Sequence, residues 1–293
     1  LPSPGGEAHL EAPPVDLTPL GSPTRRAYLR TSPEVWHKKL LAAGSGPIFE
    51  IAPCFRDAEN GPWHDLEFEM IEWYRPGGKL ADLRADCLAL LTACAAAAGN
   101  TTERPVRSLT VAQAFLGATG VALIADGKDE PLRRDLAAAG LRLPQLRMNW
   151  DDLFFLAWVD RVEPWLKGQG VVFIERFPAS QATMAKLCSD DPNWCERLEV
   201  YVDGVELANG FFELTDGEEQ RRRFRRWQNE RIEAGRSVYP EDNAFFQAVD
   251  DLPESAGIAL GFDRLAAISL AATDLSSVRP FRLTEIYGAP SCT

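Results

Sequence analysis

Residues 55–74, FRDAENGPWHDLEFEMIEWY, constrain the fold of this chain most, because an arginine, a charged loop and an acid-studded apolar run follow one another. The preceding run PIFEIAPCF, residues 47–55, is apolar and rich in β-formers, whereas the loop after it carries Gly61, Pro62 and His64. LEFEM then alternates apolar with acidic residues, which predicts strand, long loop, strand. In the second strand Leu66, Phe68 and Met70 face one side of the sheet and Glu67 and Glu69 the other. The alternation slips where Ile71 and Trp73 flank Glu72, so a bulge or a fully covered strand end is expected there. An ordinary antiparallel strand with a wet, charged face would show the same pattern, and the weight therefore falls on two further segments.

The first is CERLEVYVDGVELANGFFEL, residues 195–214, where Asp203-Gly204 between two alternating runs signals a hairpin. Its second strand sets Glu206, Asn209 and Glu213 among Leu207, Phe211 and Phe212. Polar groups in such a strand need metals, ammonium groups or arginines as partners. Structural ion pairs with Arg56 or Arg264 would satisfy them. So would a functional arrangement in which the acids take magnesium and an amino-bearing substrate while the two arginines hold phosphate oxygens. The second segment is SAGIALGFDRLAAISLA, residues 255–271, a glycine-punctuated strand running into a helix with Asp263 and Arg264 at the junction. The partial positive charge of a helix start makes Arg264 well placed for a phosphate. No GxxxxGK[ST] loop and no GxSxG elbow competes with it.

The rest of the chain is that of a globular protein, with 293 residues, 45% of them hydrophobic and 25% charged. No run approaches the roughly 18 apolar residues of a membrane span, and LPSPGGEAHLEAPP lacks the basic-then-apolar order of a signal peptide. A cytoplasmic protein without a membrane role is expected. The six cysteines form no CxxC pair and the three histidines no zinc set, so buried thiols are expected, with a bridge between Cys188 and Cys195 allowed by spacing alone. A net charge of −12 disfavours nonspecific nucleic-acid binding. The basic string RRRFRR lies in GEEQRRRFRRWQNERIEAG, which reads as a solvated helix laced with salt bridges.

Residues 1–23 read as an extended arm. Ser32 is expected to cap a helix with Pro33 at its first position and Gly44 past its end. Residues 80–168 read as a helical insertion between strands, with helices near 80–98, 111–116, 130–139 and 150–166. The sheet resumes at 171–177, and after the charged helix at 217–235 a short helix follows near 243–249.

These residues resemble the class II aminoacyl-tRNA synthetases, in particular the lysyl branch. FRDAENGPWHDLEFEMIEWY is similar to the second signature motif, VELANGFFELTD to the strand that holds magnesium and lysine, and GIALGFDRL to the third motif. The resemblance implies an α+β fold, a mainly antiparallel sheet flanked by helices, in a single catalytic domain spanning 1–293. Within the branch the chain is most similar to the truncated paralogues that attach (R)-β-lysine to a lysine of elongation factor P. It shows no N-terminal anticodon-binding barrel, it carries the wording FPASQATMAKL at 177–187, and it has Ala259 where the synthetases usually have glycine.

The resemblance implies a role for each matching position. Ser32, Pro33 and Glu34 contact the substrate amino acid, and Tyr74, Asn209 and Glu213 hold its lysine side. Arg56 lies on the α-phosphate, Asp57, His64 and Asp65 meet ATP, and Phe68 stacks on adenine. Glu206 and Leu207 border ATP, with Glu206 on magnesium, and Gly261 with Arg264 forms the third-motif nucleotide site. Catalysis is expected to rest on Arg56, Arg264 and Glu206. The methyl of Ala259 would crowd an α-amino group and tolerate one displaced by a carbon. Ala58 stands where the family keeps a glutamate on adenine, with Glu59 one place later. Motif 1, which builds the class II dimer, should precede Leu1, and a homodimer is expected where it is present. The implied activity is a two-step ligation through an aminoacyl adenylate using ATP and Mg2+, with elongation factor P as acceptor and tRNA disfavoured by the acidic charge. Charging of tRNA by a lysyl-tRNA synthetase core, or a catalytically silent binding subunit, are the alternatives.

Overall fold

The computed structural model describes residues 10–18, 23–57 and 61–282. Ala58, Glu59 and Cys292 lie outside the described residues. In chain order the elements are β1 (Pro14–Leu17), β2 (Arg25–Tyr28), α1 (Glu34–Ala42), β3 (Ile48–Phe55), β4 (Glu67–Pro76) and α2 (Leu80–Ala97). Next come β5 (Val106–Thr110), α3 (Val111–Thr119), α4 (Asp129–Ala138), α5 (Trp150–Ala157) and α6 (Glu163–Leu166), with a π-helical turn between the last two. The chain continues with β6 (Val171–Pro178), β7 (Trp194–Val202), β8 (Val205–Phe212), α7 (Gly217–Glu233), α8 (Asn243–Asp250), β9 (Ser255–Gly261) and α9 (Phe262–Ser269). They group into two compact units, one of residues 1–101 with 213–293 and the other of residues 102–212. The architecture is α+β and mostly antiparallel.

In the first unit β4 lies between β3 and β9, antiparallel to both. The register runs without interruption from Ile48 opposite Tyr74 to Phe55 opposite Glu67, and Met70 to Tyr74 are all buried, so of the two expected alternatives the covered strand end forms and the bulge does not. The reason is that charge and apolarity change faces partway along β4. Ile71 and Trp73 continue the face that begins with Glu67 and Glu69, and they are buried on the side of α2, whose Asp86 accepts a hydrogen bond from Trp73 Nε1 at 2.9 Å. Helix α2 supplies Leu83, Cys87 and Leu91 to that layer, a stripe at i, i+4 and i+8. The other face of the three strands carries Phe68, Met70, Glu72 and Tyr74 opposite Gly261, Ala259 and Gly257, and α1 packs against it.

Helix α1 begins one residue later than the capping pattern suggested. Pro33 occupies the cap position, and Ser32 Oγ accepts the Glu34 N–H at 3.3 Å. The segment read as an extended arm contains β1, paired with β2, and Ala12 donates its N–H to Tyr239 Oη at 3.0 Å. Helix α7 is laced with ion pairs as expected, including Arg222 with Glu219 at 2.8 Å and Arg225 with Glu241 at 2.7 Å. Arg223 and Arg231 depart from the solvated face: both are buried, and Arg231 holds Glu11 at 2.8 Å and lies 4.3 Å from the Tyr239 ring centroid.

The second unit orders its strands β5, β6, β7, β8, with β5 parallel to β6 and the rest antiparallel. The stretch 80–168, read as helical, therefore also holds a strand, β5. The β7–β8 hairpin turns on Asp203 and Gly204 at φ 50° and 86°, the two left-handed positions that a two-residue turn of this kind demands. Phe115, Phe154 and Trp158 stack in its helical layer. Cys188 and Cys195 are buried thiols and are not joined by a disulfide. Among the described residues no helix is long and apolar enough to cross a membrane.

Candidate active site

The site grows out of the α1 face of β3, β4 and β9, where residues two apart in a strand share one side and advance by roughly 7 Å. At one end Phe68 is half-buried on β4, and the Arg56 guanidinium carbon lies 5.2 Å from its ring centroid. Arg56 also donates Nε to the Thr31 carbonyl at 3.4 Å, and its backbone closes the strand pair through Leu66. Next along the face is Gly261, opposite Met70. A Cβ built there would lie 3.5 Å from Arg264 Cδ, so the Arg264 side chain folds back over the end of β9 from the first turn of α9. Asp263 fastens that turn to the neighbouring strand, its Oδ2 accepting the Glu69 N–H at 2.8 Å.

Farther along, Ala259 stands opposite Glu72, and Gly257 opposite Tyr74. A Cβ on Gly257 would fall 2.2 Å from Tyr74 Cε1 and 2.6 Å from Glu213 Oε1, so only glycine lets that ring and that carboxylate close over β9. Glu72 and Glu213 are each 1% exposed. Tyr74 donates its hydroxyl to Glu72 Oε1 at 2.6 Å, and burial together with the Glu72 charge drives the phenol well above its usual pKa. His37 on α1 lies 3.0 Å from Glu50 Oε2 and 3.7 Å from Glu72 Oε1. Burial opposes its charge, yet the two carboxylates prevail and raise its pKa above the usual imidazole value. Lys38, 2% exposed, sets its ammonium 2.7 Å from Glu34 Oε1 and 2.8 Å from Glu213 Oε2. Burial works against that charge too, but Glu213 and Glu34 hold it above the ordinary lysine range. Burial, with Glu34 and Glu72 nearby, pushes the Glu213 carboxyl up despite Lys38. The result is a buried anionic pocket that retains acceptor atoms without hydrogen-bond partners, namely Glu72 Oε2 and Glu213 Oε1.

The structure thus brings Glu34, Arg56, Phe68, Tyr74, Glu213, Ala259, Gly261 and Arg264 onto one face in the first unit, with Ser32 and Pro33 at the start of α1. The ion-pair partner of Glu213 is Lys38 rather than Arg56 or Arg264. In the β3–β4 loop, Asp57 donates its N–H to the Glu11 carbonyl and His64 closes a bridge with Gly61. Asp65 points inward: its Oδ1 accepts the Leu66 N–H at 2.9 Å, and Arg279 and Arg282 lie 3.7 and 3.8 Å from Oδ2. Glu206, Leu207 and Asn209 lie on β8 of the second unit. Leu207 is buried, and Asn209 accepts from Arg197 Nε at 3.1 Å, again instead of pairing with Arg56 or Arg264. Arg197 in turn holds Glu199 at 2.7 Å, which accepts the Tyr201 hydroxyl. Among the described residues no group of three His, Cys, Asp or Glu side chains is gathered as a metal cage.

Sequence reasoning missed Lys38, His37, Glu50 and Glu72. A signal existed for Lys38, which falls in the inward stripe Val35, Lys38, Leu41 of α1, where an unpaired lysine would not be tolerated. Glu72 was visible as the acid between two buried aromatic and aliphatic residues.

An arginine pair, Arg56 and Arg264, at one end of a sheet face and a buried carboxylate pocket at the other form the frame of a synthetase site. The family model for tRNA synthetases class II (D, K and N) matches residues 17–285, and the chain belongs to that family. It is similar to the elongation factor P–(R)-beta-lysine ligase of Proteus mirabilis (strain HI4320), 41% identical over 261 residues that cover 87% of this chain and 77% of that protein. The ligase of the same name from Vibrio vulnificus (strain YJ016) is 40% identical over 262 residues, 88% of this chain and 78% of the relative. That of Hamiltonella defensa is 38% identical over 273 residues, 90% of this chain and 80% of the relative.

Proposed function

We propose that the chain is an ATP-dependent ligase that activates (R)-β-lysine, or lysine, as an aminoacyl adenylate and passes it to a lysine side chain of elongation factor P in the cytoplasm. The observation that carries this reading is the single sheet face with Arg56, Phe68 and Arg264 at one end and Glu34, Glu72, Tyr74 and Glu213 at the other. The names of the relatives support the acceptor.

The buried carboxylates select a substrate bearing ammonium groups, since a buried anion is tolerated only when paired. They leave its carboxylate toward the arginines. That carboxylate attacks the α-phosphorus of ATP, the bond to the bridging oxygen breaks, and pyrophosphate departs. Arg56 and Arg264 offset the charge that grows on the phosphate oxygens, and positioning supplies much of the remainder. In the second step a deprotonated lysine amine of the acceptor attacks the acyl carbon, AMP leaves, and an amide is formed. Mg2+ is habitually taken by one or two carboxylates plus phosphate oxygens, a donor set that the single carboxylate of Glu206 fits. When bound it would add positive charge at the phosphates. Ala259, opposite Glu72, supports the preference for an amine displaced to the β-carbon. A homodimer is proposed on the family resemblance alone, and tRNA is disfavoured by the net charge of −12.

The test is to incubate the chain with ATP, magnesium, each lysine isomer and either elongation factor P or tRNA, and to weigh the acceptors. Elongation factor P is expected to gain one β-lysyl group. Mass gained by tRNA alone would favour a tRNA-charging enzyme, and no gain with no ATP binding would favour a silent subunit.

A further inference from the structure

We propose that Lys38 is a positioning residue for the amino-acid site: its ammonium, seated between Glu34 and Glu213, fixes both carboxylates and favours the charged form of Glu213 that meets the substrate's ammonium group. The inference rests on the reading of Glu34 and Glu213 as amino-acid ligands and deepens it.

A lysine that is 2% exposed is rare and occurs where it is paired. Stability gives no reason for one here. The position belongs to the Val35, Leu41 stripe, and replacing a buried ion cluster with apolar side chains is often neutral or stabilising. What the lysine does supply is geometry. Its distances of 2.7 Å to Glu34 Oε1 and 2.8 Å to Glu213 Oε2 tie together a helix start and the end of a strand connection far apart in sequence. Glu213 Oε1 faces the surface of Gly257 and has no hydrogen-bond partner.

The groups facing Glu213 show what Lys38 works against. Helix α1 contributes Lys38 and Glu34, with His37 engaged by Glu50 and Glu72. Strand β4 contributes Glu72 and Tyr74, but the Tyr74 hydroxyl is donated to Glu72 and gives Glu213 nothing. Strand β9 contributes the Ser255 carbonyl, which accepts the Glu213 N–H at 3.0 Å. Burial, Glu34 and Glu72 all disfavour a charged Glu213, and Lys38 opposes them. Without it the carboxyl holds its proton to higher pH and loses its attraction for an ammonium group.

The experiment is ATP–pyrophosphate exchange by the full chain, with the amino-acid KM followed from pH about 6 to about 9 in wild type, Lys38→Met and Lys38→Arg. In the wild type the KM should fall with rising pH as Glu213 ionises. In Lys38→Met it should rise about tenfold or more at neutral pH, as expected for loss of a charged contact, with the ATP KM nearly unchanged. The inflection should also move upward by about one unit or more, since removal of a paired cation raises a carboxyl pKa. Lys38→Arg, which keeps the charge, should restore the inflection. A raised KM with the inflection unmoved would assign the lysine to packing and overturn the proposal, as would an unchanged KM. If Lys38→Met does not fold, Lys38→Gln, which keeps a hydrogen-bond donor but removes the charge, carries the same comparison of inflections. Failure of the underlying reading looks different: the wild type would then exchange with neither lysine isomer at any pH, and the inference would fall with it.

Discussion

Gly257 shows how little room the site leaves at the level of single residues. Tyr74 and Glu213 approach β9 within the volume that any Cβ would take, so the missing side chain is what allows phenol and carboxylate to share one pocket. Gly257→Ala is expected to destabilise the protein by about 1–3 kcal/mol in urea unfolding, the usual cost of forcing a methyl into a packed interior. The same variant should raise the amino-acid KM while ATP binding changes little, and a variant as stable and as active as wild type would contradict the close approach. The charged residues of this pocket were the least legible from sequence. Glu213 stood out as an acid in an apolar strand and Glu34 and Tyr74 were found through resemblance to a family, whereas Lys38, His37 and Glu72 were not found. Burial of a charge is decided by partners brought from elsewhere in the chain, and Lys38 meets Glu213 only after β8 and α1 have been placed.

Among the elements, the loop between β3 and β4 is held from outside. Arg282 donates to the carbonyls of Gly61 and His64 at 2.7 and 2.8 Å, Arg264 to that of Trp63 at 3.1 Å, and the Leu275 N–H to that of Pro62 at 2.9 Å. The loop carrying His64 is thus shaped by residues that follow β9. Arg282→Met should raise the ATP KM roughly tenfold, the scale of losing hydrogen bonds from a charged donor, and leave the amino-acid KM nearly unchanged. Faster proteolytic nicking between β3 and β4 in the same variant would mark the loop as released, and an unaltered ATP KM would show that the clamp has no bearing on the nucleotide. Elements governed by local periodicity were readable in advance: β3 and β4, the Asp203-Gly204 hairpin, α2, and the junction of β9 with α9. Strand β5 was not, because VRSLT is short and half-exposed and owes its strand form to pairing with β6. Of the bulge and the covered strand end that the slip at Ile71 allowed, the second forms, since α2 covers the far face of β4 and lets Ile71 and Trp73 bury without a change of register.

Across the whole molecule, the buried titratable groups of the site lean one way. His37, Glu72 and Glu213 all have folded pKa values above their ordinary ones, Glu213 at about 8. A group raised on folding stabilises the protein below its unfolded pKa, and that contribution disappears as pH climbs through the folded value. Stability should therefore decline from pH about 4.5, where the unfolded carboxyls begin to ionise, to about 8, where Glu213 does so in the folded protein, reinforced by self-repulsion in a chain already at −12. The urea midpoint measured across that range checks it, and a flat or rising profile would refute it. His37→Leu should flatten the upper part of the decline. The pairing of Lys38 with Glu34 and Glu213 has one more consequence, for the history of the chain. Residues locked in one ionic cluster do not change independently, because each single replacement strands a charge that the others had neutralised. Replacements at positions 34, 38 and 213 should therefore be tolerated together rather than singly, and the three positions are expected to co-vary among relatives.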